Sequence, residues 1–527
     1  MAGPHPRCPG SLADPATMGR SRRCLSGLAD LCIKDRAMPL GYGDIGRWPK
    51  IVHPGAPGLP ACRTNHEFHY RSVKSMGKIL VLDLGTTYLK VCLFDETGQL
   101  VGLQRTRSPV DNPAEGRAEI SVSAFRQSLV RATRELALEV GGLGDVAAVS
   151  FATQTNSFLL LDQRGQPLTP ILLWTDQRAL SLDNPLQDLA ASPDFQAKTG
   201  LPSVDHHFLP AKLRWLQRHE PRIIDQTHRL ALISDYLTWW LTGSHVTEAG
   251  AAGLTGLVDI HQLEWWPEAC QLVDVPMHWL PTIVRAGTEV GPLRASVSDA
   301  LGLPRDCPLI VGCLDQYAGA IGAGNLEPGV ISETTGTVMA TVRCSDQFET
   351  NGPAEMFQGP SFQTGRYYQM VFSEFSAGLL ENYRNALIDL PSFAELDDLA
   401  TGVASGADGL GLHHDAPHRS GAEMFVNHRA HHTVGHEVRA ILEAVASELD
   451  RQIQLLCPRG RPKEVRSIGG AARSKLWLKI KSDQLGCPVQ TIDCAEPTSL
   501  GAAMLARHTL SGISLSELAH EWVRVRG

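Results

Sequence analysis

The residues of this sequence that could do chemistry lie in short turns that follow apolar runs. Asp83 ends the run at residues 78–83, and a Gly-Thr-Thr turn at 85–87 comes almost directly after it. Such a turn can aim backbone N–H groups and hydroxyls at a phosphate and place the carboxylate near a metal ion. Gly and Asp are also common in ordinary hairpin turns. A second turn of this kind, TTGT at 334–337, leads us to predict a two-sided phosphate clamp.

Asp315 is the candidate base. It lies between the apolar run at 309–312 and a Gly/Ala-rich helix predicted over 317–324. Ligands of αβ layers bind at the ends of strands, and a carboxylate in that position can take a proton from a hydroxyl. The alternative interpretation is a helix N-cap, for which Asp is equally suited.

Two further segments could approach a nucleotide. The sequence GGAARS at 469–474 combines glycines, which let a ligand come close to the backbone, with the start of a predicted helix. An ordinary strand-to-helix connection would need the same glycines. The sequence EPTS at 496–499 opens a helix with small residues at 501–503. Neither GxxxxGK[ST] nor a GxGxxG between strand and helix is present, which disfavours P-loop and dinucleotide-binding enzymes.

A histidine-rich stretch between residues 413 and 436 is another polar cluster. Its spacing fits no metal-binding motif, so we interpret it as a surface loop rather than a metal site. The histidines are His413, His414, His418, His428, His431, His432 and His436.

Hydrophobic patterning places these segments on an αβ framework. The predicted order from residue 78 to 151 is three antiparallel strands, a helix and a strand, the order of a ribonuclease-H-like layer. After about residue 329 the strand, Thr/Gly turn and strand repeat, which indicates an internal duplication. Residues 208–245 are predicted to be helical. The predicted strands are 79–82, 89–95, 99–105, 146–151, 158–162, 171–174, 309–312, 329–333, 338–342, 464–468 and 488–492, and the other predicted helices are 124–140, 317–324, 436–456, 474–485 and 499–509.

Composition narrows the class of protein. The chain has 527 residues, of which 43% are hydrophobic and 20% charged, and it is too long for one compact domain. No apolar run approaches the roughly 20 residues that a bilayer span needs, so we expect no membrane segment. Residues 76–527 carry a net charge of −14, and such an acidic body lacks the basic face that binds nucleic acid.

The cysteines and the N-terminal stretch indicate in which cellular compartment we expect the protein. The 12 cysteines include no CxxC pair, which indicates reduced thiols in a cytoplasmic protein. Residues 1–75 carry a net charge of +6, are rich in Pro, Gly and Arg, and show no sustained periodicity. We interpret them as a disordered extension or as the result of a start codon assigned too early, rather than as a transit or signal peptide.

Taken together, these motifs resemble those of the FGGY carbohydrate kinases, within the actin/Hsp70-like ATPase superfamily. The resemblance covers about residues 78–508 and implies an α/β fold of two ribonuclease-H-like lobes with a cleft between them. The N-terminal lobe would span 76–328 on the sugar side, and the C-terminal lobe 329–527 on the nucleotide side. The segments that carry the resemblance are DLGTT (83–87), ATQTN (152–156), PLTPILLWTDQR (167–178), SDYLTWWLTG (234–243), GCLDQYAGAIGAG (312–324), TTGT (334–337), SIGGAARSKLW (467–477) and EPTSLGAAMLA (496–506).

The resemblance also implies an activity and the residues that perform it. ATP with Mg²⁺ would donate its γ-phosphoryl group to a hydroxyl of a small sugar or polyol, with Asp315 as catalytic base and Asp83 acting on Mg²⁺. The residues implied for the phosphates and the nucleotide are Gly85, Thr86, Thr87, Gly336, Thr337, Gly469, Gly470 and Ser474. Those implied to line or support the sugar pocket are Gln154, Thr155, Trp174, Asp176, Arg178, His207 and Gln316. Because members of the family are often dimers, a homodimer is one expectation.

The sugar is less clearly indicated than the reaction. Members that phosphorylate xylulose usually carry Met-His, and those that phosphorylate glycerol Arg-Glu, where this chain has Thr155-Asn156. The length and the 221–260 segment resemble the xylulose-phosphorylating members, whereas Asp315-Gln316 resembles the pair in those acting on glycerol. We expect a pentulose such as D-xylulose, with ribulose, glycerol, erythritol and gluconate as alternatives.

Two other functions are compatible with the same fold. One is a non-catalytic sugar sensor, and the other is an ATP-driven chaperone or filament protein. A pure sensor needs no base such as Asp315, and a chaperone or filament protein does not need the WTDQR motif at 174–178. These features favour the kinase.

Overall fold

The computed structural model describes residues 77–336 and 338–526. Its strands are β1 Lys78–Leu84, β2 Tyr88–Phe94, β3 Leu100–Arg107, β4 Val110–Asp111, β5 Glu119–Ile120, β6 Val146–Thr153, β7 Phe158–Leu161, β8 Ile171–Leu172, β9 Arg229–Leu232, β10 Val246–Glu248, β11 Val258–Asp259, β12 Glu264–Trp265, β13 Thr282–Val284, β14 Glu289–Pro292, β15 Pro308–Ile310, β16 Cys313–Leu314, β17 Val330–Thr335, β18 Met339–Ser345, β19 Phe357–Pro360, β20 Tyr367–Ser373, β21 Gly411–Leu412, β22 Phe425–Val426, β23 Glu464–Ile468, β24 Val489–Ile492 and β25 Val525–Arg526.

The α-helices connect these strands and cover the sheets. They are α1 Val122–Val140, α2 Asn184–Ala191, α3 Phe195–Thr199, α4 Leu209–His219, α5 Pro221–Gln226, α6 Ile233–Thr242, α7 Ala249–Gly253, α8 Pro267–Leu272, α9 Ala295–Leu301, α10 Asp315–Gly322, α11 Ala377–Asn385, α12 Phe393–Thr401, α13 Val434–Leu456, α14 Lys475–Leu485, α15 Pro497–Ser511 and α16 Leu515–Trp522. No helix among the described residues combines the length and the apolarity that a bilayer crossing requires.

The first large sheet is built around β1, whose nearly continuous apolar sequence is typical of a strand buried on both faces. Its strand order is β14-β15-β6-β1-β2-β3, with β16 also beside β6. Ile79 and Val81 enter one core cluster, while Leu80 and Leu82 enter another that also contains Phe125 of α1. The hairpins β1-β2-β3 are antiparallel and β6 is parallel to β1, as the sequence predicts.

The second large sheet repeats this topology. Its order is β19-β20-β18-β17-β23-β24-β25, in which β17, β18 and β20 form the meander and β23 runs parallel to β17. The repetition agrees with the duplication that the sequence indicates. The two ribonuclease-H-like lobes are therefore present, with one sheet built from residues 78–314 and the other from residues 330–526. A lobe boundary at 328/329 stays a prediction, and the predicted extension at 1–75 lies outside the described residues.

Helices α10 and α15 touch backbone to backbone. A methyl group added at Gly322 would lie 1.9 Å from the Pro497 carbonyl oxygen, and one added at Gly501 would lie 1.9 Å from that of Ala318. Besides α10, α15 packs against β1 and β6 of the first sheet. A helix from the second half of the chain thus closes the core of the first.

Several boundaries differ from the sequence prediction. The stretch 208–245 is not wholly helical, because β9 within it pairs with β7 in a smaller sheet of order β4-β5-β8-β7-β9. Helix α10 begins at Asp315, two residues earlier than predicted. The histidine-rich stretch is not only a loop, because it contains the short strand β22, two 3₁₀ turns and the start of α13.

Replacing Gly501 by alanine should destabilise the protein, even though alanine is the better helix former. The helix-propensity gain is about 1 kcal/mol, whereas overpacking costs about 1–3 kcal/mol and the neighbour here is a rigid backbone. Chemical denaturation should therefore give a lower free energy of unfolding for Gly501→Ala. Gly144→Ala is the matched control, because nothing lies within 4 Å of its added methyl group. Equal stability of Gly501→Ala and the wild type would contradict the close contact.

Candidate functional site

Three strand ends meet at one edge of the first sheet. Both β1 and β16 run parallel to β6, and Leu84 and Leu314 each pair with Thr153. Since the carboxyl ends of parallel strands share one edge of a sheet, the predicted metal residue Asp83 and the predicted base Asp315 come to the same edge. Two segments that are 232 positions apart are joined there by backbone pairing alone.

Asp83 is held in a buried network of charges. It is 4% exposed, and its Oδ2 atom accepts hydrogen bonds from Lys90 Nζ at 3.1 Å and from Ser499 Oγ at 3.5 Å. Burial raises the pKa of Asp83, and the positive charge of Lys90 opposes that rise. Lys90 also donates to Glu496 Oε2 at 2.7 Å. Because Glu496 and Ser499 lie at the start of α15, this network ties the first hairpin to the second half of the chain.

Lys90 is a site residue that the sequence analysis misses. A signal was available, because Lys90 pairs directly with Asp83 in the register of β1 and β2. Directly opposed residues of an antiparallel pair place their side chains together on one face of the sheet. Its second partner, Glu496, is 406 positions away and leaves no local signal.

Asp315 is the first residue of α10. Its Oδ1 atom accepts a hydrogen bond from Gln316 N at 2.7 Å, so the carboxylate also satisfies an N–H group of its own helix. Burial, together with the negative charge of Asp83, raises the pKa of Asp315 to about 7. A carboxyl group with this pKa can accept a proton near neutral pH and release it again.

Glu248 fixes the segment that precedes Asp315. It is 3% exposed; its Oε2 atom accepts hydrogen bonds from Leu314 N at 3.2 Å and Ala251 N at 2.9 Å, and its Oε1 atom accepts one from Gly250 N at 2.7 Å. Glu248 was not predicted from the sequence as a site residue. Since its partners are backbone groups of β16 and α7, it positions the strand end rather than facing a ligand.

The carboxylates at this edge fit a divalent cation. Asp83 and Asp315 are close enough for the charge of one to raise the pKa of the other, and a cation between phosphates and Asp83 would relieve that repulsion. Carboxylate oxygens are the ligands that Mg²⁺ prefers, usually alongside water and substrate phosphates. The residues present therefore suit the predicted Mg²⁺.

The turn after β1 contacts the predicted sugar side. The Thr86 hydroxyl accepts a hydrogen bond from Trp174 Nε1 at 2.9 Å and donates to Gln154 Oε1 at 3.4 Å. Thr87 is exposed and Gly85 is half-buried. A methyl group at Gly85 would lie 2.7 Å from the Tyr88 carbonyl oxygen, so this turn requires glycine for space.

Gln154 carries a polar atom without a protein partner. It is 4% exposed; its Oε1 atom accepts a hydrogen bond from Ser157 Oγ at 2.9 Å, while its Nε2 atom is buried and unbonded within the described chain. An unpaired buried donor is costly, and a ligand oxygen would satisfy it. Thr155 donates its hydroxyl to the Ala251 carbonyl at 2.7 Å, so that hydroxyl has a structural partner.

Asp176 and Arg178 form a buried pair that supports the pocket wall. Asp176 is fully buried and accepts hydrogen bonds from Ala118 N at 2.8 Å and Arg178 Nε at 2.7 Å. Burial alone would raise the pKa of Asp176, but the hydrogen bonds from Arg178 and Ala118 hold it below its ordinary value. Arg178 also binds Glu119 and packs over the Trp215 ring at 5.3 Å. Both predicted residues thus have their polar groups committed to protein partners.

Lys212 joins the two segments that carry Trp174 and His207, whose rings we call the aromatic wall. Its side chain is fully buried, and Nζ donates to the carbonyl oxygens of His207 at 2.6 Å, His206 at 3.2 Å and Trp174 at 3.5 Å. Burial lowers the pKa of Lys212 to about 7. The Trp174 and His207 rings lie 5.6 Å apart, centroid to centroid. Lys212, which the sequence analysis does not single out, thereby holds this ring pair together.

A group of potential metal ligands lies beside this wall. Side-chain atoms of Asp205, His206 and His207 lie within 4.8 Å of one another, and His207 Nδ1 is 3.0 Å from Asp205 Oδ1. Within the described ranges, no such group occurs in the histidine-rich stretch at 413–436.

The second sheet presents a glycine-lined edge. β17 and β23 are parallel, with Thr334 paired with Ile468, so Gly336 and Gly469 follow neighbouring strand ends. Gly469 has a φ of +90°, a conformation that favours glycine, and space is open around Gly470.

Ser474 and Thr337 are the remaining residues predicted to bind the nucleotide. The Ser474 hydroxyl accepts a hydrogen bond from Trp477 N at 3.0 Å and caps α14. Thr337 lies outside the described residues. Gln316, which was predicted for the sugar pocket, is half-buried next to Asp315 on α10.

Comparisons with known proteins agree with this architecture. Residues 78–322 match the N-terminal domain, and residues 407–510 the C-terminal domain, of the FGGY family of carbohydrate kinases. An L-fuculokinase from Salmonella typhi is 28% identical over 84% of this chain and 95% of its own. A glycerol kinase from Dechloromonas aromatica is 30% identical over 81% of this chain and 88% of its own. A ligand-bound xylulose kinase from Lactobacillus acidophilus has a TM-score of 0.77 at 22% identity, covering 85% of this chain and 93% of that one.

The matches to both family domains and the two-lobed α/β architecture define the class of protein as a carbohydrate kinase with the actin-like ATPase fold. The chain belongs to the FGGY family of carbohydrate kinases. It is therefore an ATP-dependent phosphotransferase that acts on a small sugar or polyol. The three relatives above are named for three different acceptors, so the family alone does not choose among them.

Replacing Lys212 by methionine should weaken binding of the acceptor more than binding of ATP. The variant keeps nearly the volume of the side chain but loses the hydrogen bonds from Lys212 Nζ to the carbonyl oxygens of Trp174 and His207. We expect KM for the preferred acceptor to rise about tenfold or more, because small misplacements of binding groups are costly, with KM for ATP nearly unchanged. Lys479→Met, at an exposed lysine paired with Asp483, is the control. An equal rise in both KM values would contradict a role on the sugar side.

Proposed function

We propose that this kinase transfers the γ-phosphoryl group of Mg-ATP to a hydroxyl of a pentulose, with D-xylulose as the first candidate. The observation that carries the proposal is Asp315, a carboxylate with a pKa near 7 at the strand edge that also holds Asp83. A sugar sensor would have no use for a base in this position. L-Fuculose, ribulose, glycerol, erythritol and gluconate are the alternative acceptors.

In the proposed reaction Asp315 accepts the proton of the acceptor hydroxyl. The acceptor oxygen then forms a bond to the γ-phosphorus as the bond between that phosphorus and the β–γ bridging oxygen breaks, and ADP leaves. Such transfers depend on positioning and charge neutralisation more than on covalent chemistry. Mg²⁺, when bound near Asp83, would neutralise charge on the phosphates, and Lys90 supplies a fixed positive charge at the same place.

The acceptor is proposed to lie between Gln154 and the aromatic wall. The unpartnered Nε2 of Gln154 would donate to a sugar oxygen, and the Trp174 and His207 rings would cover an apolar face of the sugar. Gln316, next to the base, would bind a neighbouring hydroxyl. Asp176 and Arg178 would act indirectly, by fixing the loop that carries Trp174.

The nucleotide is proposed to lie along the glycine edge of the second sheet. The open space around Gly470, together with the absence of side chains at Gly336 and Gly469, would let phosphates or the nucleoside approach closely. Thr86, Thr87 and Gly85 would complete the phosphate site from the other lobe, and Thr337 is proposed to act with them. Ser474 would contribute by ordering the start of α14.

We also propose a reducing compartment, such as the cytoplasm, for this enzyme. The cysteines in the described part of the chain are free, and five of the eight are buried. A homodimer stays a prediction from the resemblance.

Asp315→Asn should abolish transfer without unfolding the protein. We expect kcat to fall by about 10²- to 10⁴-fold, because the amide cannot accept the proton, while ATP binding measured by calorimetry is retained. The raised pKa means that the folded state binds this proton more tightly than the unfolded state. Ionising Asp315 therefore costs stability as pH rises from about 4 to about 7. The asparagine variant should be at least as stable as the wild type at pH 8, and full activity in it would remove Asp315 from the mechanism.

The pH dependence of the reaction should report the same group. Because the base must be ionised, kcat/KM for the acceptor at low Mg-ATP should rise about tenfold per pH unit below pH 7 and level off above it. At saturating Mg-ATP the profile should keep this shape, with a midpoint that reports the pKa of Asp315 in the nucleotide complex. A profile that is flat from pH 5.5 to 8.5 in both conditions would contradict the proposed base.

The acceptor is best identified by coupled ADP release with a panel of sugars and polyols. The panel contains D-xylulose, ribulose, L-fuculose, glycerol, erythritol and gluconate, each tested with the wild type and with Asp315→Asn. We expect D-xylulose to give the highest kcat/KM and the variant to lose the stimulation. Preference for another acceptor would change the substrate but keep the kinase, whereas stimulation by none would contradict the proposal.

A further inference from the structure

A cavity on the first lobe is lined by three arginines and two tryptophans. Its volume is about 490 Å³, and we call it the arginine cavity. It lies where the second turn of α1, the turn between β7 and β8, the end of α6 and the start of α9 meet. The arginines are Arg126, Arg164 and Arg294, and the tryptophans are Trp239 and Trp240.

The cavity has an uncompensated positive charge. None of its lining residues is acidic, and within the part of the chain described here Arg126, Arg164 and Arg294 form no ion pair with a carboxylate. By contrast, Arg214 and Arg305 elsewhere on the same lobe do pair with aspartates. Such a cluster is unusual in a body whose net charge is −14. A multiply charged anion is the partner that three guanidinium groups would favour.

Two of the three arginines are held in place by aromatic rings. Arg126 packs over Trp240 at 5.6 Å and over Tyr236 at 5.2 Å, and Arg294 packs over Trp239 at 5.0 Å. The Nε atom of Arg126 is buried and has no hydrogen-bond partner within the described residues. Guanidinium groups that are fixed in this way lose little conformational freedom when an anion binds.

The turn that carries Arg164 is also fixed. A methyl group at Gly165 would lie 2.4 Å from the Trp239 ring, so the backbone of this turn lies directly on that ring. The Asp162 carboxylate accepts hydrogen bonds from Arg164 N at 2.8 Å and Gln166 N at 2.7 Å and closes the turn. Arg164 is thus an exposed side chain on an ordered turn.

The arginine cavity is separate from the candidate active site. β7 begins at Phe158, next to Ser157 and its bond to Gln154, and ends at Leu161, just before the turn that carries Arg164. The two sites therefore lie toward opposite ends of this strand. None of the residues that line the cavity is among the predicted substrate, nucleotide or metal residues.

We propose that the arginine cavity binds a small phosphate ester that carries at least two negative charges. Planar guanidinium groups match the oxygens of a phosphate, and the volume is in the range of sites for small molecules. A concave cavity suits a free metabolite better than a flat lipid surface or a protein. The bound anion would be an additional ligand of the kinase, distinct from its acceptor and from ATP.

Calorimetric titration with pyrophosphate tests this site. The protein is kept in Mg²⁺-free buffer without nucleotide, because ADP is itself a phosphate ester and would compete for the cavity. We expect one site per chain with a Kd below about 1 mM. Glucose 6-phosphate should also bind, and glucose at the same concentration should give no heat at this site.

Two cavity variants and one control assign the site. Arg126→Gln combined with Arg294→Gln should weaken pyrophosphate binding at least about fivefold, because two charge-assisted contacts are lost. Arg164→Gln, at an exposed residue with little effect on packing, should weaken it less but measurably. Arg222→Gln combined with Arg459→Gln removes the same charge from exposed positions elsewhere and should leave the Kd unchanged.

The outcomes separate the cavity from other sites. Absence of pyrophosphate binding in the wild type, or equal Kd values in wild type and cavity variants, would overturn the proposal. Equal weakening in the cavity variants and in the control would mean that net charge is responsible, which also overturns it. ADP release with the preferred acceptor should be retained in the cavity variants, which shows that they are folded.

Discussion

The structure depends on holding two carboxylates, the buried Asp83 and the half-buried Asp315, at one edge of the first sheet, where each keeps a different ionisation behaviour. Asp83 and Asp315 repel, and burial makes the repulsion stronger because there is little water to screen it. Lys90 compensates Asp83 directly, and it is itself held by Glu496 from the other half of the chain. Asp315 receives less compensation, and its raised pKa is the consequence. The same asymmetry gives one carboxylate the character of a fixed charge and the other that of a proton acceptor.

The two halves of the chain share a topology but divide the chemistry. In the first sheet, the parallel strand ends carry acidic residues and an amide with an unsatisfied donor, which suit a metal and a polar acceptor. In the second sheet, the corresponding ends carry glycines, and its buried charges are turned inward. Lys481, for example, is fully buried and binds Glu333 at 2.8 Å and Thr335 Oγ1 at 2.9 Å, which stabilises the end of β17. Repetition of the fold therefore does not repeat the site.

Much of the framework could be predicted from the sequence, because strands such as β1 and β6 are short, mostly apolar runs bounded by turns. The strand β9 could not, since four residues within a helical stretch become a strand only through pairing with β7. The motifs also identified Asp83, Gln154, Trp174 and Asp315, which the fold brings to one region.

Other residues of the candidate site could not be predicted from the sequence, because their role depends on which groups the fold brings next to them. The bonds of Glu248 and Lys212 go to backbone groups, and backbone positions cannot be inferred from residue types. Thr86 was predicted to bind phosphate, yet its hydroxyl also links Trp174 and Gln154, a contact between segments 88 positions apart. Local patterns indicate which groups can do chemistry, whereas the choice of partners depends on tertiary packing.

The contact between α10 and α15 has a mechanical consequence. At Gly322 and Gly501 no side chain interlocks the helices, and carbonyl oxygens set their separation. A rotation of one helix relative to the other would meet no interlocked side chain at these two positions, whereas sliding or separation would break the close backbone contact. Asp315 begins one helix and Glu496 and Ser499 begin the other, each within about two turns of the crossing. Groups near the axis of such a rotation move least, so the residues that line the sugar and nucleotide sites would move farther than the carboxylates near the crossing.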